Sequence, residues 1–200
     1  MKLIHLFRKL ILQIKTAGIK AAFKEIIFFN RTVIVIEKDI SYRDEIKLED
    51  GIEVTVIDNS NRSLIKSKYG INIFQYYPQK GAKCLAIFNE NECLGYQWWT
   101  QDNKFNDLKK LNLTLKDNEA YLFDFFVFPE YRGTNTPKLI TQETFNHLLS
   151  DGISKIYGFF FGDNIKALWW HRAVLKAKEI KRIKTHRLFF LEFINGKIFV

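Results

Sequence analysis

Apolar residues recur at helical spacing near the start of the chain. Leu3, Phe7, Leu10, Ile11 and Ile14 form one stripe, and Lys2, Arg8, Lys9 and Lys15 form another. This predicts a basic amphipathic helix within residues 1–29. The charged stretch from Lys20 to Glu25 separates it from a second short helix that ends near Asn30. The β-branched run 32–37 predicts a strand, and an irregular charged stretch follows through Asp50. Residues 53–58 alternate apolar and polar, as a strand does, and Asn59-Ser60 offers a cap for a helix carrying Leu64 and Ile65. Residues 83–89 and 93–100 predict a hairpin about Glu90-Asn91-Glu92. The Asn-rich segment 101–118 is a loop or a short surface helix. Beyond it the pattern is regular: a strand at 119–128, a helix at 137–150, a strand at 155–161 and a helix at 165–176. Two strands follow at 179–185 and 187–194, and Asn195-Gly196 is a type I′ turn signal before 197–200.

An antiparallel hairpin feeding strand–helix–strand–helix, then more hairpin, predicts an α/β domain with a mixed, mostly antiparallel sheet and helices on both faces. That domain is expected over residues 51–200. Residues 1–50 form an N-terminal amphipathic helical extension with a strand. With 47% hydrophobic and 16% aromatic residues among 200, the chain has the means to bury a large core. A net charge of +9 points to an anionic partner: nucleic acid, an acidic membrane surface or a phosphorylated cofactor. Scattered Lys and Arg, with no recognition motif, rank nucleic acid lowest. The basic helix can lie in a membrane plane, or pack on its own domain or on a second subunit of a homodimer. Two cysteines, Cys84 and Cys93, are too few for a disulfide framework, and the expected setting is cytoplasmic with peripheral membrane contact open. No apolar run approaches the roughly 20 residues of a spanning helix. Arg8, Lys9 and Lys15 interrupt a secretory pattern.

The chemistry concentrates in Tyr121 to Ile140. A buried strand ends at Pro129, a tight turn carries Arg132-Gly133, and a helix starts within five residues. Such a turn presents unpaired N–H groups at the positive end of a helix dipole, which suits a phosphate. Arg132 and Lys138 add charge there. Gly-x-Ser-x-Gly, His-Glu-x-x-His and Walker patterns are absent from the sequence, and His5, His147 and His186 lack ligand spacing, so no metal is assigned.

Val127-x-Pro129-x-x-Arg132-Gly133 resembles the V-x-P-x-x-R-G-x-G-x-G/A motif of the GNAT superfamily of acyltransferases. Asp124-Phe125-Phe126-Val127 is similar to the preceding strand of polyamine acetyltransferases, and Asn164-x-x-Ala167 resembles that superfamily's helix beside the pantetheine arm. The resemblance implies a GNAT-like fold and transfer of an acetyl or longer acyl group from acyl-CoA, or from an acyl carrier protein, to an amine or hydroxyl. The acceptor is a small molecule or carrier-bound. It also implies that Phe126, Val127, Phe128, Arg132, Gly133, Thr134, Asn135, Thr136, Lys138, Asn164 and Ala167 hold the donor. Asp124 is the candidate general base. His171 stands where relatives carry a thiolate-protonating tyrosine, with Tyr121 and Tyr131 as weaker alternatives for proton transfer. Asn135 and Pro137 replace two motif glycines, and Lys176-Ala177 replaces the usual Gly-Phe at the end of the second helix. A non-catalytic binding or scaffolding module on the same fold is the alternative. Trp98, Trp99, Trp169 and Trp170 are either cleft walls or core.

Overall fold

A computed structural model describes residues 19, 28–41, 51–58, 81–90, 92–188, 191–194 and 197–199. The stripe at residues 3–14, the helix after Asn59-Ser60 and the Asn195-Gly196 turn lie outside the described residues. The described chain forms two compact units: residues 37–158, and residues 1–36 with 159–200. Among the described residues no helix is long and apolar enough to cross a membrane.

In the first unit the strands β2 (Ile52–Ile57), β3 (Ala82–Asn89), β4 (Glu92–Thr100) and β5 (Glu119–Val127) are neighbours in that order, with β6 (Lys155–Phe161) next to β5. β2, β3, β4 and β5 pair antiparallel, while β5 and β6 are parallel. A parallel pair needs a crossover, and α2 (Thr136–Ser150) supplies it. Every residue of β4 from Cys93 to Thr100 is buried, which explains why its pattern is a continuous apolar run rather than an alternation. Trp98 and Trp99 are fully buried with Leu85, Phe88, Tyr121, Ile140 and Leu148, so this pair is core and not cleft wall. α2 buries Leu139, Ile140, Phe145 and Leu148 and packs on β3 and β4. In the 101–118 segment a short helix α1 (Asn106–Leu111) buries Leu108 and Leu111.

The second unit holds the end of β6, β1 (Phe28–Asp39), β7 (Lys178–Leu188), β8 (Leu191–Ile194) and β9 (Lys197–Phe199), neighbours in the order β6-β1-β7-β8-β9. β1 is thus an inner strand contributed by the first 50 residues. The Gly162 N–H bonds the Thr32 carbonyl at 2.8 Å, and Ile34, Ile36 and Phe160 form a small core with Ala167 and Leu168.

Three expectations are corrected. The second N-terminal helix was expected to end near Asn30, but Phe28, Phe29 and Asn30 belong to β1, because aromatic residues continuous with a β-branched run favour a pleated, paired position. The strand break expected at His186 does not exist: β7 runs through it to Leu188, and His186 pairs with Phe193. The helix expected at 165–176 is α3 (Ile165–Trp169) followed by a π-helical turn over Trp170–Val174. In that turn the Leu175 N–H reaches the Trp170 carbonyl at 2.9 Å, one residue more than a regular helical turn holds. Lys176 then takes φ 53°, a left-handed conformation better suited to glycine.

Candidate active site

The site begins with a fault in the β4–β5 ladder. Tyr96 pairs with Phe126 but Trp98 pairs with Phe123, so Gln97 faces two residues, Asp124 and Phe125. This is a β-bulge, and Asp124 occupies it with φ 50°. Left-handed backbone is uncommon outside glycine, though Asp tolerates it better than most residues. The bulge reverses the side-chain alternation. Phe123 and Phe126, three residues apart, therefore share a face and stack on Trp98 and Tyr96 with ring centres 6.3 and 5.5 Å apart. The buried Gln97 amide holds the bulge, donating from Nε2 to the carbonyls of Phe123 at 2.8 Å and Trp98 at 2.9 Å.

Asp124 is half-buried. Burial pushes its carboxyl up from 3.8 to about 6, and a hydrogen bond with Tyr96 partly opposes the rise. Pairing of β5 with β6 covers only Glu119, Ala120 and Tyr121. Beyond Tyr121 the ladder to β4 is therefore the one that β5 keeps among the described strand pairs. Because the Phe128 N–H bonds the Leu94 carbonyl at 3.0 Å, antiparallel alternation aims the Val127 N–H away from β4. The Phe128 N–H is thus used by the sheet.

A 3₁₀ turn at Pro129–Tyr131 leads from β5 to the loop before α2. The Arg132 Nε donates to the Val127 carbonyl at 2.9 Å, and its guanidinium lies 5.6 Å from the centre of the Phe126 ring. The charge is thereby pinned to the end of the strand. Gly133 has φ 89°, and a Cβ there would meet nothing within 4 Å, so glycine is required for its backbone and not for space. Thr134 Oγ1 donates to the Tyr131 carbonyl at 2.7 Å and accepts the Thr136 N–H at 3.2 Å. The N–H groups of Gly133, Asn135 and Lys138 have no partner among the described residues. Pro137 has no N–H to offer, and it occupies the first turn of α2, where proline fits. Asn135 is right-handed, with φ −75° and ψ −10°, so the cradle does not use the left-handed tolerance that its side chain allows.

The other expected site residues have distinct local roles. Asn164 caps α3, its Oδ1 accepting the Ala167 N–H at 3.1 Å. His171 lies in the π-helical turn with its ring stacked on Phe160, centres 4.8 Å apart, and its buried Nδ1 has no hydrogen-bond partner among the described residues. Burial lowers its pKa from 6.5 to about 4, so the imidazole is neutral at physiological pH. Tyr121 is fully buried with its hydroxyl 3.4 Å from Asp107, and the Tyr131 hydroxyl bonds Glu92 at 2.6 Å. Cys84 and Cys93 are free and buried, and burial pushes the Cys93 thiol up to about 12.

No protein-family model and no curated protein matches the sequence. Solved structures do match the fold. A GCN5-related N-acetyltransferase-like protein from Streptococcus suis superposes with a TM-score of 0.54 at 11% identity, over 86% of this chain and 68% of that one. The chain has the GNAT fold. A GNAT-family protein from Novosphingobium aromaticivorans aligns with a TM-score of 0.51 at 10% identity, over 78% of this chain and 63% of its own. A tandem GNAT protein from the clavulanic acid biosynthesis pathway gives 0.51 at 14% identity, over 82% and 56%. This chain thus spans less than two thirds of the length of the last two.

Three residues of the GNAT-fold site escaped the sequence reading. Gly95 faces Val127 so closely that a Cβ would lie 2.5 Å from the Phe126 carbonyl oxygen and 2.8 Å from Ile140 Cδ1. Tyr96 bonds Asp124, and Gln97 holds the bulge. A glycine and a glutamine inside an apolar run were the available signal, since both are disfavoured in a buried strand unless backbone or polar contacts require them.

Proposed function

We propose that this chain is an acyltransferase that moves an acetyl or longer acyl group from acyl-CoA to an amine or hydroxyl acceptor. The observation that carries this reading is β5 itself. Within four residues it holds a left-handed, half-buried Asp124 and an outward Val127 N–H, and it runs into a loop and first turn of α2 with three N–H groups unpartnered among the described residues. The donor set fits a diphosphate: N–H groups of Gly133, Asn135 and Lys138, the Arg132 and Lys138 cations, and the positive end of α2. Asn164 and Ala167 are the residues that the resemblance assigns to the pantetheine arm. Acyl-CoA, when bound, supplies an activated thioester carbonyl.

Asp124 takes the proton from the attacking amine or hydroxyl as the new C–N or C–O bond forms, and the thioester C–S bond breaks to release the CoA thiolate. A carboxyl near 6 is ionised at neutral pH yet more basic than an ordinary aspartate, which suits a general base. The Val127 N–H donates to the carbonyl oxygen as charge builds on it. An imidazole of pKa about 4, as in His171, holds no excess proton at neutral pH, so water supplies the proton to the released thiolate.

The test is thermal unfolding with acetyl-CoA and longer acyl-CoAs. Ligand at a hundred times Kd should stabilise the fold by about 2.7 kcal/mol. No shift with any member of the series overturns acyl-CoA as donor and leaves an acyl carrier protein to be tried. The donor lost at Pro137 favours one second reading, a non-catalytic acyl-CoA-binding module. Turnover that disappears in Asp124→Asn while folding persists excludes that module.

A further inference from the structure

In the unit of residues 1–36 and 159–200 an open cleft of about 480 Å³ is lined by three arginines: Arg31 from β1, Arg172 from the π-helical turn and Arg182 from β7. Two carboxylates organise them. Asp163 bonds Arg31 Nε at 2.9 Å, and the Arg31 guanidinium lies 5.0 Å over the Phe161 ring. Glu179 accepts Nη2 of Arg172 at 3.2 Å and Nη2 of Arg182 at 3.0 Å, and it also accepts Arg182 Nε. Among the described ion pairs, one carboxylate thus holds two of the three arginines and a second holds the third. A guanidinium has five N–H donors, so Arg172 and Arg182 each keep donors beyond those given to Glu179.

We propose that this cleft binds a phosphate-bearing small molecule. The forked, always-charged arginine head matches the oxygens of a phosphate better than a lysine does, and here a carboxylate already holds two of the three forks in place. The volume exceeds that of inorganic phosphate and lies in the range of small-ligand sites, leaving room for the group that carries the phosphate. Ile34 and Leu168 give the cleft an apolar wall for that group. The Gly162 N–H to Thr32 carbonyl bond ties the end of β6 to β1 at the same place. None of these residues belongs to the loop before α2.

The experiment is calorimetric titration of the full chain with glycerol 3-phosphate at fixed ionic strength, beside co-sedimentation with phosphatidic-acid vesicles. Saturable binding of glycerol 3-phosphate supports the site with a soluble source, and saturable binding of the vesicles alone supports it with a lipid headgroup. Either should weaken about tenfold in Arg182→Lys and in Arg172→Lys, which keep the charge and lose the fork. Asp163→Asn removes the anion that competes for Arg31 and should tighten binding about threefold, a gain that misfolding cannot mimic. Arg132→Gln should leave binding unchanged. Absence of saturable binding to both probes overturns the proposal. So does binding that Arg132→Gln abolishes while the arginine-to-lysine variants retain it, because the cradle is then the phosphate site.

Discussion

Asp124→Asn should abolish activity and raise stability at the same time. Burial lifts the carboxyl from 3.8 in the unfolded chain to about 6 in the fold. Between those values the folded protein binds the proton more tightly than the unfolded chain does, so stability falls as pH rises through that window and stays lower above it. At about 1.4 kcal/mol for each tenfold in proton affinity, the gap comes to about 3 kcal/mol. Asp124 is partly exposed, and solvent screening reduces the expected gain from removing the charge to about 2 kcal/mol at pH 7. Asparagine is nearly isosteric, accepts the left-handed backbone at this bulge, and can still accept the Tyr96 hydrogen bond. Urea unfolding of both proteins from pH 4 to pH 8 measures the effect. The variant should match the parent near pH 4 and exceed it by about 2 kcal/mol at pH 7, which is about 4–8 °C in Tm for a chain of this size. Under the proposed chemistry, turnover falls at least about a hundredfold in the variant, and parent kcat/KM declines as pH drops through about 6. A variant that is less stable than the parent at pH 7, or one whose stability difference is flat across the range, refutes the assignment of a destabilised carboxylate.

Gly95→Ala should cost about 3 kcal/mol by urea unfolding, because its Cβ would lie 2.5 Å from a backbone oxygen of β5 that cannot move without opening the bulge. His171→Phe keeps the stack on Phe160 and removes a buried ring nitrogen without a partner among the described residues. The parent imidazole has its pKa lowered from 6.5 to about 4, so it loses stability as pH falls through that interval. The stability difference between parent and His171→Phe should therefore change by about 3 kcal/mol between pH 7 and pH 4, and no change would place the imidazole in water. Arg132→Gln should weaken acetyl-CoA binding about tenfold by calorimetry with little effect on Tm, since its guanidinium is exposed and its one backbone bond closes the loop locally.

The order of strands and helices from residue 82 to 161 was legible because period-two and period-3.6 patterns, bounded by turn and cap residues, reflect local backbone preference. Val127, Pro129, Arg132 and Gly133 located the loop for the same reason. A proline at the start of a helix and a glycine at φ 89° are requirements that a residue carries with it wherever it is placed. What depends on partners distant in sequence was not legible. The bulge at Asp124 exists because Gln97, 27 positions earlier, faces two residues of β5 and bonds the backbone on one side of them. The carboxyl near 6, the neutral His171 ring and the convergence of Arg31, Arg172 and Arg182 arise in the same way. Desolvation and charge proximity are properties of what surrounds a group, and only the folded chain brings those surroundings together.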